Sequence, residues 1–266
     1  MTLESAGMAA LLGLGIAVAL LVGVWLASLV RRDASLVDRF WGAGFVLLAA
    51  FWAMTSPAAF AGLNARLAFA IIALWGIRLS LYLTWRNWGS GEDYRYAEMR
   101  RGHGDRFPLV SLVTVFLLQA LLMWTIALPV FVTTRATRAA EPLLLTVGLL
   151  VFGAGFLFEV IADAQLSRYR AARKRSGPLD EGLWRYSRHP NYFGEAILWW
   201  GIWIVAASVG GAWTVFSPIL MTVLLVRVSG VAMLEKRLRE VKPGWEEYAR
   251  RTSAFLPWPS RRRTEG

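Results

Sequence analysis

The sequence predicts an all-α, polytopic membrane protein with about seven transmembrane helices, its N-terminus outside and its C-terminus cytoplasmic. Three observations carry that prediction. The 266-residue chain is 56% hydrophobic with a mean hydropathy of +0.46, too apolar for an ordinary soluble domain. Its apolar residues fall in runs near the ~20 residues that carry a helix across a bilayer. The basic residues are also lopsided. Of the 29 Lys and Arg, 24 lie in the segments 31–39, 86–108, 163–191 and 234–266, which alternate with nearly uncharged connections, and such an excess marks the cytoplasmic side.

Taken in order, the expected spans are 8–30, 40–60, 67–85, 109–132, 143–162, 192–209 and 212–233. The first has neither a basic lead nor a small-residue cleavage pattern followed by a soluble domain, so it reads as a retained helix rather than a signal peptide. The third carries Arg78, Tyr82 and Arg86 at i, i+4 and i+8, one stripe descending to its cytoplasmic end. The stretch after it, NWGSGEDYRYAEMRR, reads as a charged loop. The fifth ends FEVIADAQLSRYR, where Glu159, Asp163 and Arg170 return to nearly one helical face. Pro190 suits the first turn of a helix and so opens the sixth span. Arg227 sits inside the seventh and is expected to pair with a carboxylate. No repeat or low-complexity linker divides the chain, so 1–258 reads as one integral-membrane domain and 259–266 as a basic tail near lipid headgroups. The 14 tryptophans are expected mostly at the membrane interface and facing lipid.

Composition excludes several classes of chemistry. There is no Cys, so disulfides and thiolate metal sites are out, and His103 and His189 alone cannot build a multi-His centre, so no metal site is expected. The net charge of +11 and pI of 10.8 fit basic loops facing anionic lipid, and nucleic acid is not an expected partner. No strand–helix unit with a Gly-x-Gly-x-x-Gly turn is present, so a dinucleotide could not be held in the Rossmann manner.

The polar opening of the sixth span, RYSRHPNYFGEAILWWG at 185–201, is the sharpest local signal. Unpaired N–H groups at a helix N-terminus, with Arg185, Tyr186, Arg188 and His189 before it, make a natural anion site. Asn191 and Glu195 follow at i and i+4, with Trp199 a turn further along the same face. That layout suits a phosphorylated cofactor whose flat ring reaches between helices. Snorkelling arginines and an aromatic belt account equally for Arg185, Arg188 and Trp199, but not for Glu195 a turn inside. His189 fits a phosphate donor or helix cap as well as a general base. Glu159 and Asp163 suit a ribose or an amide, or else an internal ion-pair network.

With these residues in view, ADAQLSRYR, GLWRYSRHPNYFGEAILWWG, LWGIRLSLYLTWRNWGSGEDYRY and DRFWG together resemble the bacterial, largely uncharacterised branch of the steroid 5-alpha-reductase superfamily, from about Asp38 to Pro257. The resemblance implies a seven-helix membrane reductase that binds NADPH from the cytoplasmic side and reduces the carbon–carbon double bond of a hydrophobic enone lipid. It carries cofactor contacts onto Asn191, Glu195, Asp163, Arg170 and Arg78, and the substrate carbonyl onto Asp38. The tyrosine that assists the carbonyl in the animal enzymes aligns with Trp75, leaving Tyr82 as a substitute, and an Asn of their fifth helix becomes Glu159. The RHPNY element and the ending EKRLREVKPGWEEYARRTSAFLP also resemble the isoprenylcysteine and phospholipid methyltransferases. The rival expectation is therefore methyl transfer from S-adenosylmethionine to a lipid, and a third is a non-enzymatic lipid-binding membrane protein. The implied location is a bacterial cytoplasmic membrane.

Overall fold

The computed structural model describes residues 3–56, 62–172, 177–228 and 231–260. Most of the expected basic tail, residues 261–266, lies outside the described residues, as do parts of the second and seventh expected spans. The helices are α1 (Leu3–Arg31), α2 (Leu36–Met54), α3 (Leu63–Arg86), α4 (Tyr94–His103), α5 (Phe107–Ser111), α6 (Leu118–Ile126), α7 (Leu128–Arg135), α8 (Pro142–Ala171), α9 (Pro190–Ser208), α10 (Phe216–Val223), α11 (Val231–Val241) and α12 (Trp245–Arg251). Among the described residues no strand occurs, only a parallel bridge between Ser187 and Ser253. Among the described residues six helical stretches are long and apolar enough to cross a membrane. The expected sixth span, α9, is not among them. It has 19 residues, and Pro190, Asn191, Glu195 and three tryptophans lower its hydropathy.

The chain forms two compact units, Met1–Glu141 with Val209–Thr214, and Pro142–Ser208 with Val215–Gly266. In the first, α2 and α3 meet through glycine. A Cβ added at Gly42 would stand 2.3 Å from Gly76 O, and one at Gly76 would stand 2.5 Å from Gly42 O, so the two backbones touch as small-residue crossings of apolar helices do. Indole N–H groups tie α1 to its neighbours. Trp52 donates to Ala9 O at 3.0 Å and Trp124 to Ala10 O at 2.8 Å. Of the 14 tryptophans, expected mostly at the interface and facing lipid, Trp52, Trp75, Trp184, Trp199 and Trp245 are buried, while Trp85, Trp88, Trp213 and Trp258 are exposed. A ring of that size fills core volume, and its one N–H costs little once it finds a carbonyl.

Two sequence boundaries also shift. The stretch read as a charged loop is helical from Tyr94, because Asp93 caps α4 by accepting the Arg95 N–H at 3.0 Å. The fourth expected span is a chain of pieces: α5, a π-helical turn over Leu112–Leu117, then α6, which ends at Ile126 just before Pro129. Pro129 has no N–H to offer, so the next helix restarts around it.

The second unit is organised by a seam between α8 and α9. A Cβ at Gly155 would lie 2.4 Å from Leu198 N, at Gly194 2.5 Å from Glu159 N, and at Gly201 2.3 Å from Phe152 N. Gly148 and Gly155 are two turns apart on α8, as Gly194 and Gly201 are on α9, so the contact runs antiparallel along one face of each helix. α8 extends past the expected end of its span to Ala171, keeping Asp163 and Arg170 within the helix.

Candidate functional site

The sequence-predicted residues fall in both units, and each unit gathers some of them. In the first unit, Asp38 sits at the opening of α2, where Arg95 Nη2 donates to its Oδ2 at 2.8 Å and the Tyr96 hydroxyl donates to its Oδ1 at 2.9 Å. Arg95 also donates from Nε to Asp93 at 2.8 Å. Next to this network, Glu92 accepts the Ala34 N–H at 2.8 Å and a two-point contact from Arg100 at 2.7 and 3.0 Å. The segment carrying EDYRY is thereby stapled to the turn between α1 and α2. Burial pushes the Glu92 carboxyl up, but the hydrogen bonds from Arg100 and from the Ala34 N–H outweigh it and hold the group below the usual carboxylate range.

The stripe on α3 forms as spaced. The Arg78 and Arg86 guanidinium carbons lie 5.1 and 5.5 Å from the Tyr82 ring centroid, two cation–π contacts to one ring, and Arg86 Nε donates to Asn87 Oδ1 at 3.1 Å. All three are half-buried. Trp75, aligned with the assisting tyrosine, is fully buried with its ring 5.5 Å from that of Phe45. It is a core residue.

In the second unit, the glycine seam brings the carboxylates of α8 beside the opening of α9. Asn191 Nδ2 donates to Asp163 Oδ1 at 3.2 Å, and Glu159, Asp163 and Glu195 are all buried, as is Trp199. Acidic side chains enclosed among apolar helices are costly, and such groups mark ligand sites or internal networks. Arg170, Arg185 and Tyr186 are exposed.

Arg188 and His189, expected to face an anion, are instead built into the protein. Arg188 donates to both oxygens of Glu235, from Nε at 2.7 Å and from Nη2 at 2.9 Å, and its Nη1 donates to the carbonyls of Ala249 and Thr252. Its backbone N–H donates to Ser253 O at 2.8 Å. A guanidinium has five N–H donors, and four of them are committed here. His189 is buried, with Nε2 3.3 Å from Glu235 Oε1 and its ring stacked on Tyr192. Burial, assisted by the charge of Arg188, lowers its pKa below the ordinary value against the opposing pull of Glu235. A neutral ring with the proton on Nε2 satisfies this contact. Arg227 is exposed on the π-helical turn Leu224–Val228.

Sequence reasoning missed Arg95 and Tyr96 as the partners of Asp38, and Glu235 as the partner of Arg188. For Tyr96 a signal existed, since EDYRY stood out as a motif. Glu235 lies in a run of alternating charges, EKRLRE, where nothing distinguishes it from its solvated neighbours.

The fold and these buried polar clusters define an all-helical integral membrane protein. Residues 24–252 match the family described as Protein of unknown function (DUF1295), and the chain belongs to that family. It is also similar to Uncharacterized protein C594.04c of Schizosaccharomyces pombe (strain 972 / ATCC 24843), with 26% identity over 268 residues, covering 88% of this chain and 75% of the yeast protein. No solved structure matches.

Proposed function

We propose that the protein is a membrane-embedded reductase that uses NADPH to saturate the carbon–carbon double bond of an enone lipid. The observation that carries this reading is the buried set on α8 and α9: Glu159, Asp163 and Glu195 with the Asn191 amide. Its chemistry suits the group. Carboxylates accept from ribose hydroxyls and from a carboxamide N–H, and the Asn191 amide can both donate and accept. Exposed Arg170 and Arg185 would meet phosphate oxygens, a planar charge-assisted task for which a guanidinium is shaped. When bound, the cofactor supplies the hydride, and the protein orients it and manages charge on the substrate.

In the first unit, the role assigned by resemblance to Asp38 takes a specific form. Its two oxygens already accept from Arg95 and Tyr96. Of these two donors the Tyr96 hydroxyl is the one that can give up a proton, and Asp38 would orient that hydroxyl rather than donate itself. The hydroxyl has one proton, so meeting a substrate carbonyl would require it to turn from Asp38 Oδ1, leaving Arg95 on the other carboxylate oxygen. Tyr96 is buried, and the new bond would form in a medium where it is strong.

Replacing Asn191 or Glu195 by Ala is expected to weaken NADPH binding to the detergent-purified protein by about 1–3 kcal/mol, the usual range for a buried hydrogen-bonding group. Asp38→Asn and Tyr96→Phe are expected to leave that affinity nearly unchanged and to lower turnover of an enone. Equal binding by the parent and the Asn191 and Glu195 variants would sink the assignment. A thermal-shift measurement with each cofactor separates the rival chemistry. The RHPNY element and the C-terminal segment, which together resemble the methyltransferases, pack on each other through Arg188 and Glu235. Stabilisation by S-adenosylmethionine and not by NADPH would favour methyl transfer, and stabilisation by neither would favour a lipid-binding role.

A further inference from the structure

The three residues ahead of Pro190 are fixed by a segment more than forty positions further along the chain. Ser187 Oγ donates to Phe255 O at 2.8 Å and accepts the His189 N–H at 3.1 Å. Arg188 is held through its backbone by Ser253 and through its side chain by Ala249, Thr252 and Glu235. The Tyr248 hydroxyl donates to Trp184 O, and Trp258 N donates to Tyr186 O at 3.0 Å. Glu235, on α11, grips two consecutive members of this stretch, Arg188 with both oxygens and His189 with Oε1.

The grip lies directly ahead of the opening of α9. Pro190 fixes its own φ and lends no N–H, so the orientation of residue 189 passes directly into the first turn. The first bond of that turn runs from the Phe193 N–H to His189 O at 3.1 Å. Asn191 lies within the same turn, its amide 3.2 Å from Asp163 Oδ1. A small rotation at residue 189 would carry that amide out of reach, since a hydrogen bond weakens steeply with distance and angle.

We propose that Glu235 is a positioning residue for the ligand-binding turn of α9. It contributes no group to the Asn191 and Asp163 pair, and it sets where Asn191 points by anchoring Arg188 and His189. The C-terminal segment from α11 to Trp258 is then part of the site's scaffold. This deepens the reductase reading and rests on it for the identity of the ligand.

The test compares parent, Glu235→Ala, Glu235→Gln, Asn191→Ala and the Glu235→Ala/Asn191→Ala double variant, by hydrogen exchange of α9 and by NADPH titration. In Glu235→Ala, amides from Phe193 to Ala196 are expected to exchange at least about tenfold faster, while those of the seam from Leu198 to Val205 keep their parent rates. NADPH affinity is expected to fall at least about tenfold, and Asn191→Ala to add less than about twofold in that background, a coupling between residues that do not touch. Glu235→Gln keeps one acceptor and the side-chain length, is expected to fall between, and carries the same comparison if the Ala variant does not fold. Unchanged first-turn exchange overturns the proposal. So does faster exchange along the whole of α9, which would make Glu235 a general stabilising residue, and so do NADPH effects that multiply independently. If the parent does not bind NADPH, the reductase reading fails, and the exchange comparison still decides the positioning role.

Discussion

Arg188 and His189 illustrate how one residue's surroundings redirect its chemistry. The guanidinium that would attract a phosphate commits four of its five donors to Glu235 and two carbonyls. Breaking a buried pair of this kind costs about 3–5 kcal/mol, so an Arg188→Ala variant would report on folding before it reported on any anion. His189, held neutral by burial, makes a prediction about acidity. Its folded pKa lies below the ordinary value of 6.5, so below that pH the unfolded chain binds the extra proton more readily. Stability is therefore full above about pH 6.5 and declines as pH falls toward the folded value. Glu92 acts in a lower window. Its folded pKa lies below 4.5, so its contribution is present above that pH and is lost as pH falls through the folded value. Thermal unfolding across pH 4.5–7 should thus show a slope that His189→Gln flattens, since Gln keeps a donor without titrating. A slope identical in the variant would mean that His189 is not the group responsible.

At the scale of elements, the α8–α9 seam decides where the buried carboxylates meet Asn191, and four glycines make it possible. Gly155 is in backbone contact, whereas Gly153 on the same helix has nothing within 4 Å of an added Cβ. Gly155→Val should therefore force the helices apart, at a cost of about 1–3 kcal/mol or more for overpacking, and abolish the NADPH binding proposed at Asn191. Gly153→Ala should be neutral or slightly stabilising, because Ala outranks Gly in a helix by about 1 kcal/mol. Equal melting temperatures for the two variants would remove the seam from the account. The elements also show how much a sequence reveals. Hydropathy exposes α1, α2, α3 and α8, since a helix in lipid must be apolar along its length. Pro190 announces the start of α9, and the i, i+4 spacing puts Asn191 and Glu195 on one face. The seam is harder to see, because glycines two turns apart look like any others until a partner with the same interval is found. The Asp38 network and the Glu235 clamp join residues 46 to 58 positions apart, and no local pattern encodes pairings at that distance.

For the molecule as a whole, the pairing of the RYSRH segment with the C-terminal segment constrains how the chain threads the membrane. Arg188 contacts Ala249, Thr252 and Ser253 directly, and Trp184 accepts from Tyr248, so residues 184–189 and 248–258 share one side of the bilayer. Between them lie α9 and the apolar stretch Ala212–Val241. Two segments on the same side are joined by an even number of crossings. If Ala212–Val241 crosses, as its length and hydropathy allow, α9 must cross as well, although its own hydropathy falls short. Its glycine face supplies the physical reason: packed against α8 from Gly194 to Gly201, it shows Glu195 and Asn191 to protein rather than to lipid. Seven crossings would then follow, the number expected from the sequence, and the charge bias of the 24 Lys and Arg predicts which connections face the cytoplasm. A reporter inserted at Arg138 should accordingly be external, one at Gly210 external, and one fused after Gly266 cytoplasmic. A cytoplasmic signal at Gly210 would show that α9 turns back, and the charge bias and the clamp could then not both hold.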